Sequence, residues 1–327
     1  MNTPSQTPAV PRTRRRAARS RIVVAIATAA VSGVTVLLPV GPALGVEDTP
    51  ETSFWTTSKC GVDEATPEIP AGSFVKVVVT GAPGTWAWGI NGGKGHAGGN
   101  GSVLMFRSTA PTDEPRTFLA RAGCTTAGNN WGDVAGAAGW SPGGAGQKGG
   151  GAGGGSSALC EDTLSCESKW FENVIAVAGG GGGGGGGTCS SQWGWDGGAA
   201  GTGYLTQWAP YPTFSFLNGS DGAASPNTGA RVPTVGQQVW TGTDAGARYN
   251  GGQLGGAAGG GGGFYTGGGA GTTHGGGCQT GGGGGGGASA LTANAFQGPS
   301  ILNWRLTDTS TSSAGGSVKI WWQANPF

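Results

Sequence analysis

Charge is scarce in this sequence. Asp, Glu, Lys and Arg make up 11% of its 327 residues, against roughly 25% in ordinary domains. A chain with so little charge does not hold itself open by repulsion, as a solvated coil does. Histidine is scarcer still, at His96 and His274. A zinc site takes three or four ligands, so the loose His274–Cys278 spacing is too thin for one. The acidic residues show no calcium-loop spacing, and nothing points to the paired carboxylates of glycoside hydrolysis. There is no amphipathic stretch longer than two helical turns, which removes the helical classes. No second apolar run follows the one near the N-terminus, and the chain ends Asn325-Pro326-Phe327 without an anchoring tail.

The nucleotide and nucleophile motifs are absent in substance. No G-x-x-x-x-G-K-[ST] pattern occurs. Gly93-Lys94-Gly95-His96-Ala97-Gly98 spells G-x-G-x-x-G but lacks the following helix whose N-terminus would hold a pyrophosphate. Gly139-Trp140-Ser141-Pro142-Gly143 spells the G-x-S-x-G elbow, yet Pro142 has no N–H to give to an oxyanion hole, and no strand leads in. The expectation is a non-enzyme with no cofactor and no metal.

What is present begins with a leader. Arg12, Arg14, Arg15, Arg16, Arg19 and Arg21 precede the uncharged run Ile22 to Leu38, and Ala43-Leu44-Gly45 follows. Basic, apolar and small segments in that order make a signal peptide over residues 1–45. The alternative is an uncleaved anchor, because the apolar run is long. Thr13-Arg14-Arg15 leaves Sec and twin-arginine export both open. Beyond residue 45, twelve cations face seventeen anions, a net of −5. No basic patch remains, so nucleic acid is not an expected partner. No membrane span is expected after the leader.

All the cysteines follow the leader: Cys60, Cys124, Cys160, Cys166, Cys189 and Cys278. In an oxidising space six cysteines form disulfides, with fifteen possible connectivities. Cys160 and Cys166 are close in sequence and are paired here. Cys189 and Cys278 border glycine runs expected to lie side by side and are paired next. Cys60 then falls to Cys124.

The chain holds 74 glycines and 18 prolines, a level that composition alone associates with disorder. The glycines are organised, however. Val174-Ile175-Ala176-Val177-Ala178 is a strand signal, and nine consecutive glycines, Gly179 to Gly187, follow it directly. Gly259 to Gly263 leads into Phe264 and Tyr265, and Gly281 to Gly287 into Ala288-Ser289-Ala290-Leu291. Runs capped by apolar residues read as parts of one packed body, against the alternative of flexible linkers. Polyglycine can adopt the extended helix of three residues per turn, which has no internal hydrogen bonds and must pair with neighbouring copies. At about 3.1 Å per residue, the nine-glycine run spans roughly 28 Å. Gly179, Gly183, Gly187, Gly261 and Gly284 are the expected structural positions.

Strand signals lie at Phe74–Val79, Val103–Phe106, Thr117–Ala122, Ile301–Leu306 and Val318–Trp322, the last two as a closing pair. Residues 46–68 are polar and expected to be loosely held, ahead of a glycine-rich β domain over 69–327. The class is all-β with glycine-helix insertions.

The order Ile69-Pro70-Ala71-Gly72, strand, Gly81, Gly92-Gly93-Lys94-Gly95, two strands, Ala122-Gly123 resembles the glycine-rich domain family of the anaplastic lymphoma kinase and leukocyte tyrosine kinase ectodomains. Val174 to Ala178 with its glycines, then Gly259 to Tyr265 and Gly281 to Leu291, resemble later segments of that family. The resemblance covers roughly residues 66 to 325. It implies a jelly-roll-like β-sandwich with inserted polyglycine II helices packed as a bundle. There is no kinase segment, so receptor signalling does not carry over.

Thirteen tryptophans complete the inventory. Each is read as core, with Trp193 and Trp195 the exception, because Gln192, Gly194 and Asp196 around them read as a surface loop. Trp193, Trp195 and Tyr265 are the candidate binding residues. Trp321 and Trp322, adjacent in a strand, must point to opposite faces. The functional expectation is a secreted, non-catalytic scaffold that binds or adheres at a surface, possible partners being an extracellular protein or a glycan. Alternatives are a carbohydrate-binding module using exposed tryptophans and a structural extracellular protein. Oligomeric state is left open.

Overall fold

A computed structural model describes residues 52–89, 93–127, 134–147, 149–161, 165–166, 174–187, 193–194, 196–201, 205–208, 211–217, 258–264, 273–274, 280–292 and 304–327. Among them run the strands β1 Ser53–Thr57, β2 Asp63–Ala65, β3 Phe74–Thr80, β4 Gly101–Ser108, β5 Phe118–Arg121, β6 Ser157–Glu161, β7 Val174–Ala178, β8 Leu205–Trp208, β9 Tyr211–Leu217, β10 Thr273–His274, β11 Thr280–Gly281, β12 Ser289–Thr292, β13 Trp304–Ser312 and β14 Ser317–Gln323. No helix occurs among the described residues, and the fold is all-β.

Two antiparallel sheets dominate. One has five strands in the order β1-β14-β3-β4-β13, and the other has seven in the order β2-β5-β6-β7-β12-β9-β8. β3 shows why the first forms. Val75, Val77 and Val79 alternate inward and are fully buried, while Lys76 faces out, the period-two pattern of a one-sided strand. β7 reads apolar throughout and is buried throughout, as a strand covered on both faces requires. Its Ile175 and Ala178 join the main core, and its Val174 and Val177 join a second cluster with Trp140 and Phe264.

The main core draws on both sheets. Val77, Leu104, Phe106 and Ile320 of the five-stranded sheet meet Phe118, Leu159, Ile175 and Leu291 of the seven-stranded one. Trp304 of β13 joins them, edge-on to Phe106 at 5.2 Å and to Phe118 at 6.1 Å. Adjacent Trp321 and Trp322 do part to opposite faces. Trp322 packs on the core, and Trp321 meets Phe54 outside it, with centroids 5.0 Å apart and planes tilted by 38°.

The structure differs from expectation at two places. Residues 53–65, expected to be loosely held, supply an edge strand to each sheet: β1 pairs β14 and β2 pairs β5. Their polarity is that of strands with one solvated face, and the Cys60–Cys124 disulfide ties the segment down. β13 and β14 end the chain but do not pair with each other. β3 and β4 lie between them, so each long strand finds its partner earlier in the sequence.

The expected pairs Cys60–Cys124 and Cys160–Cys166 are both present. Cys189 and Cys278 lie outside the described residues.

The glycine runs sit in neither sheet. Their backbone groups pair with other segments, and the partners recur every third residue. From the nine-glycine run, Gly180 and Gly183 donate to Gly262 and Gly259, while Gly181 and Gly184 donate to Ala82 and Thr85. The carbonyls of Gly179, Gly182 and Gly185 accept from Ser102, Gly99 and His96; those of Gly181 and Gly184 accept from Gly154 and Gly151; those of Gly180, Gly183 and Gly186 accept from Gly287, Gly284 and Gly281. Gly182 also donates to Gly198. One run therefore touches six other segments. All nine of its residues are buried.

Candidate functional site

The site stands beside the end of the nine-glycine run away from β7, where Gly187 donates to Lys94 and His96 donates to Gly185 among the glycine segments. Three of them build it. In residues 81–89, Gly81, Gly84 and Ala87 donate to Ser102, Gly99 and His96 at 2.8, 2.9 and 3.0 Å. Ala82, Thr85 and Trp88 donate to Gly155, Ala152 and Gly149 at 3.0, 2.8 and 2.9 Å. The remaining phase of this three-residue period holds Pro83, which has no N–H to satisfy, Trp86, and Gly89, whose amide donates to Gly149 at 3.2 Å. Trp86 is 56% exposed and Trp88 52%. Both depart from the core reading. The amides of Thr85, Ala87 and Trp88 hold this stretch to other segments, and the two indoles are left outside.

The second segment carries Lys94 and His96, and the third begins at Trp193. Trp193 lies opposite Lys94 in a parallel bridge. Gly194, Gly197 and Ala200 donate to Lys94, Ala97 and Asn100 at 2.9, 3.0 and 2.8 Å. Glycine is required where the segments touch. A Cβ on Gly95 would stand 1.6 Å from the carbonyl oxygen of Ala87, and one on Gly194 would stand 1.7 Å from that of Gly185.

Trp193 is 53% exposed and is gripped from one side. The Lys94 ammonium lies 4.3 Å from its ring centroid, a cation–π contact. The His96 ring meets it edge-on at 5.7 Å. His96 Nδ1 in turn lies 2.9 Å from Oδ1 of Asp196. Lys94, His96 and Asp196 thus fix one face or edge of the indole and leave the rest to solvent. The backbone bond from Ala87 to His96 brings the Trp86–Trp88 pair beside the same group.

Of the candidate binding residues, Trp193 is exposed. Trp195 and Tyr265 lie outside the described residues. Phe264, next to Tyr265, is buried and stacked on Trp140 at 5.6 Å. The structural glycines Gly179, Gly183, Gly187, Gly261 and Gly284 are all buried and hydrogen-bonded to other segments. Ser141 is fully buried, with its amide on Ser156 Oγ at 2.9 Å. No group of three or more His, Cys, Asp or Glu able to hold a metal occurs among the described residues.

Sequence reasoning missed Trp86, Trp88, Lys94, His96 and Asp196 as neighbours of Trp193. The signal was the three-residue period. Had residues 84, 87, 96 and 99 been aligned in phase, Lys94 and His96 would have fallen beside both tryptophan segments.

Compared with known protein families and with curated proteins, the chain matches none.

Proposed function

We propose that this protein is a secreted, non-catalytic scaffold that binds an extracellular glycan through the tryptophans at the far end of its glycine segments. One observation carries the reading. Trp86, Trp88 and Trp193 are each more than half exposed, although the backbone at or next to each is tied to another segment, through the amides of Thr85 and Ala87, of Trp88, and of Gly194. Indole faces displayed on a rigid support suit stacking against sugar rings, because little side-chain freedom is lost on binding.

The finer fold belongs to the same proposal. The two sheets form a jelly-roll-like sandwich, and the glycine segments form a bundle of polyglycine II helices, as the resemblance to the kinase-ectodomain domain implies. The three-residue recurrence of hydrogen bonds and the six neighbours of Gly179–Gly187 support this. A bundle of backbone alone is stiff and presents its end as a platform. Export fits the two disulfides, and N-terminal sequencing of the exported protein should begin at or near Val46.

The test is retention of the full-length protein, as secreted, on a glycan array and on insoluble cell-wall polysaccharide. The Trp86→Ala/Trp193→Ala variant should lose about tenfold or more in affinity with an unchanged melting temperature. Equal retention of the two proteins would overturn the reading.

A further inference from the structure

The outward face of the five-stranded sheet carries a line of cations that the tryptophan site does not use. The strand register places Phe54 opposite Trp321, Trp321 opposite Lys76, Lys76 opposite Arg107, and Arg107 opposite Arg305. The row crosses all five strands, with two aromatics followed by three cations. Lys319, two residues from Trp321 on β14, adds a fourth cation on the same face, opposite Val78. Asp308, opposite Met105 after a bulge, is the acid that the register brings onto it.

This arrangement has a cost that the fold offsets only in part. Like charges directly opposite on paired strands destabilise the pair, and here that happens twice in succession. Among the described residues, none of Lys76, Arg107, Arg305 and Lys319 pairs with an Asp or Glu side chain. Lys76 lies 5.6 Å from the Trp321 ring centroid, and Arg107 donates to the main-chain oxygen of the last residue, Phe327. Beside the two arginines opens a cleft of about 360 Å³, lined also by Phe74, Ser108, Thr109 and Phe327. The chain beyond residue 45 is net negative at −5, so cations are gathered on a face of a protein that otherwise has few.

We infer that this face binds a linear acidic polysaccharide, its carboxylates on Lys76, Arg107 and Arg305 and its sugar rings against Trp321 and Phe54. Neighbouring strands lie about 4.8 Å apart, so the three cations present a track of roughly 10 Å. Guanidinium groups take carboxylates in bidentate pairs. An acidic sugar suits this face better than a nucleic acid. Duplex DNA carries a charge every ~1.7 Å, and the net negative charge of the chain beyond residue 45 opposes so dense a polyanion, while sparser carboxylates reach the track with less repulsion.

The experiment measures binding of the protein as secreted, after loss of the arginine-rich residues 1–45, to immobilised polygalacturonate at low and high salt, with dextran as the neutral polymer and duplex DNA as competitor. Retention should occur on polygalacturonate, weaken with salt and be absent on dextran. Arg107→Gln/Arg305→Gln should lose about tenfold or more in affinity. If that variant does not fold, Arg305→Gln alone, at an exposed position, should still weaken binding severalfold. Lys59→Gln, a cation on another part of the surface paired with Glu64, should bind as the parent does. So should Trp193→Ala, which separates this surface from the tryptophan site. No retention at low salt, retention indifferent to salt, an equal loss in Lys59→Gln, or preferential binding of DNA would each overturn the inference.

Discussion

The amide of Gly183 donates to the carbonyl of Gly259 at 2.8 Å, while the carbonyl of Gly183 accepts from the amide of Gly284 at 2.9 Å. Its third side is closed as well, since a Cβ there would stand 2.1 Å from the carbonyl oxygen of Gly151. A linker glycine gains slightly on replacement by alanine, through the unfolded chain. Gly183 should do the reverse. Gly183→Val is expected to cost more than about 2 kcal/mol, from overpacking and lost hydrogen bonds. Gly315, with nothing within 4 Å of its Cβ position, is the control, and Gly315→Val should be close to neutral in thermal unfolding. Hydrogen exchange gives a second reading: the amides of Gly180 to Gly184 should exchange slowly, as paired amides do.

Ser289 ties strand to glycine run. Its hydroxyl lies 2.6 Å from that of Ser102 and accepts from the Gly179 amide at 2.9 Å, with both serines fully buried. Ser289→Ala leaves that amide without its partner in the interior. A loss of about 1–3 kcal/mol is expected in denaturant unfolding. An unchanged midpoint would show that the contact contributes nothing.

The two disulfides should differ in their contribution. Cys60–Cys124 closes a loop with a sequence separation of 64, and Cys160–Cys166 one of 6. On the chain-entropy account the longer loop contributes about 4 kcal/mol and the shorter about 2. Double Cys→Ser variants of each pair, compared by thermal unfolding, should rank in that order. Non-reducing peptide mapping should recover both links, and a Cys160–Cys189 peptide would refute the pairing.

Glu161, at the end of β6, should make stability depend on pH. Burial pushes its carboxyl above the ordinary carboxylate range, and Arg116, with a nitrogen 3.7 Å away, only partly counters this. The folded state therefore holds a proton that the unfolded state has released, and stability falls as pH rises from the ordinary carboxylate value through the raised one. Glu161→Gln removes the slope and leaves Arg116 beside Asp113 and Glu114. The variant's stability relative to the parent should rise from acid to neutral pH. Parallel pH–stability curves would contradict this.

The sequence by itself determined the all-β class, because its apolar runs are short, β-branched and alternating. β3, with Val75, Val77 and Val79, and β7, with its unbroken Val174–Ala178, are legible at once. It also determined that the glycine runs belong to a packed body, since each is launched from or closed by residues that turn out buried, such as Ala178, Phe264 and Ala288. Two disulfides followed from spacing and elimination. The tertiary structure alone decided which strands pair, setting β3 and β4 between β13 and β14, because pairing is a long-range choice that alternation does not encode. It alone decided the register of the glycine segments. A glycine carries no side chain to mark its face, so Gly180 and Gly181 are identical in sequence, yet one donates to Gly262 and the other to Ala82. For the same reason it alone gathered Trp86, Trp88, Lys94, His96 and Trp193 at one place, and aligned Lys76, Arg107 and Arg305 in one row. Both groupings come from segments distant in sequence, joined by backbone hydrogen bonds.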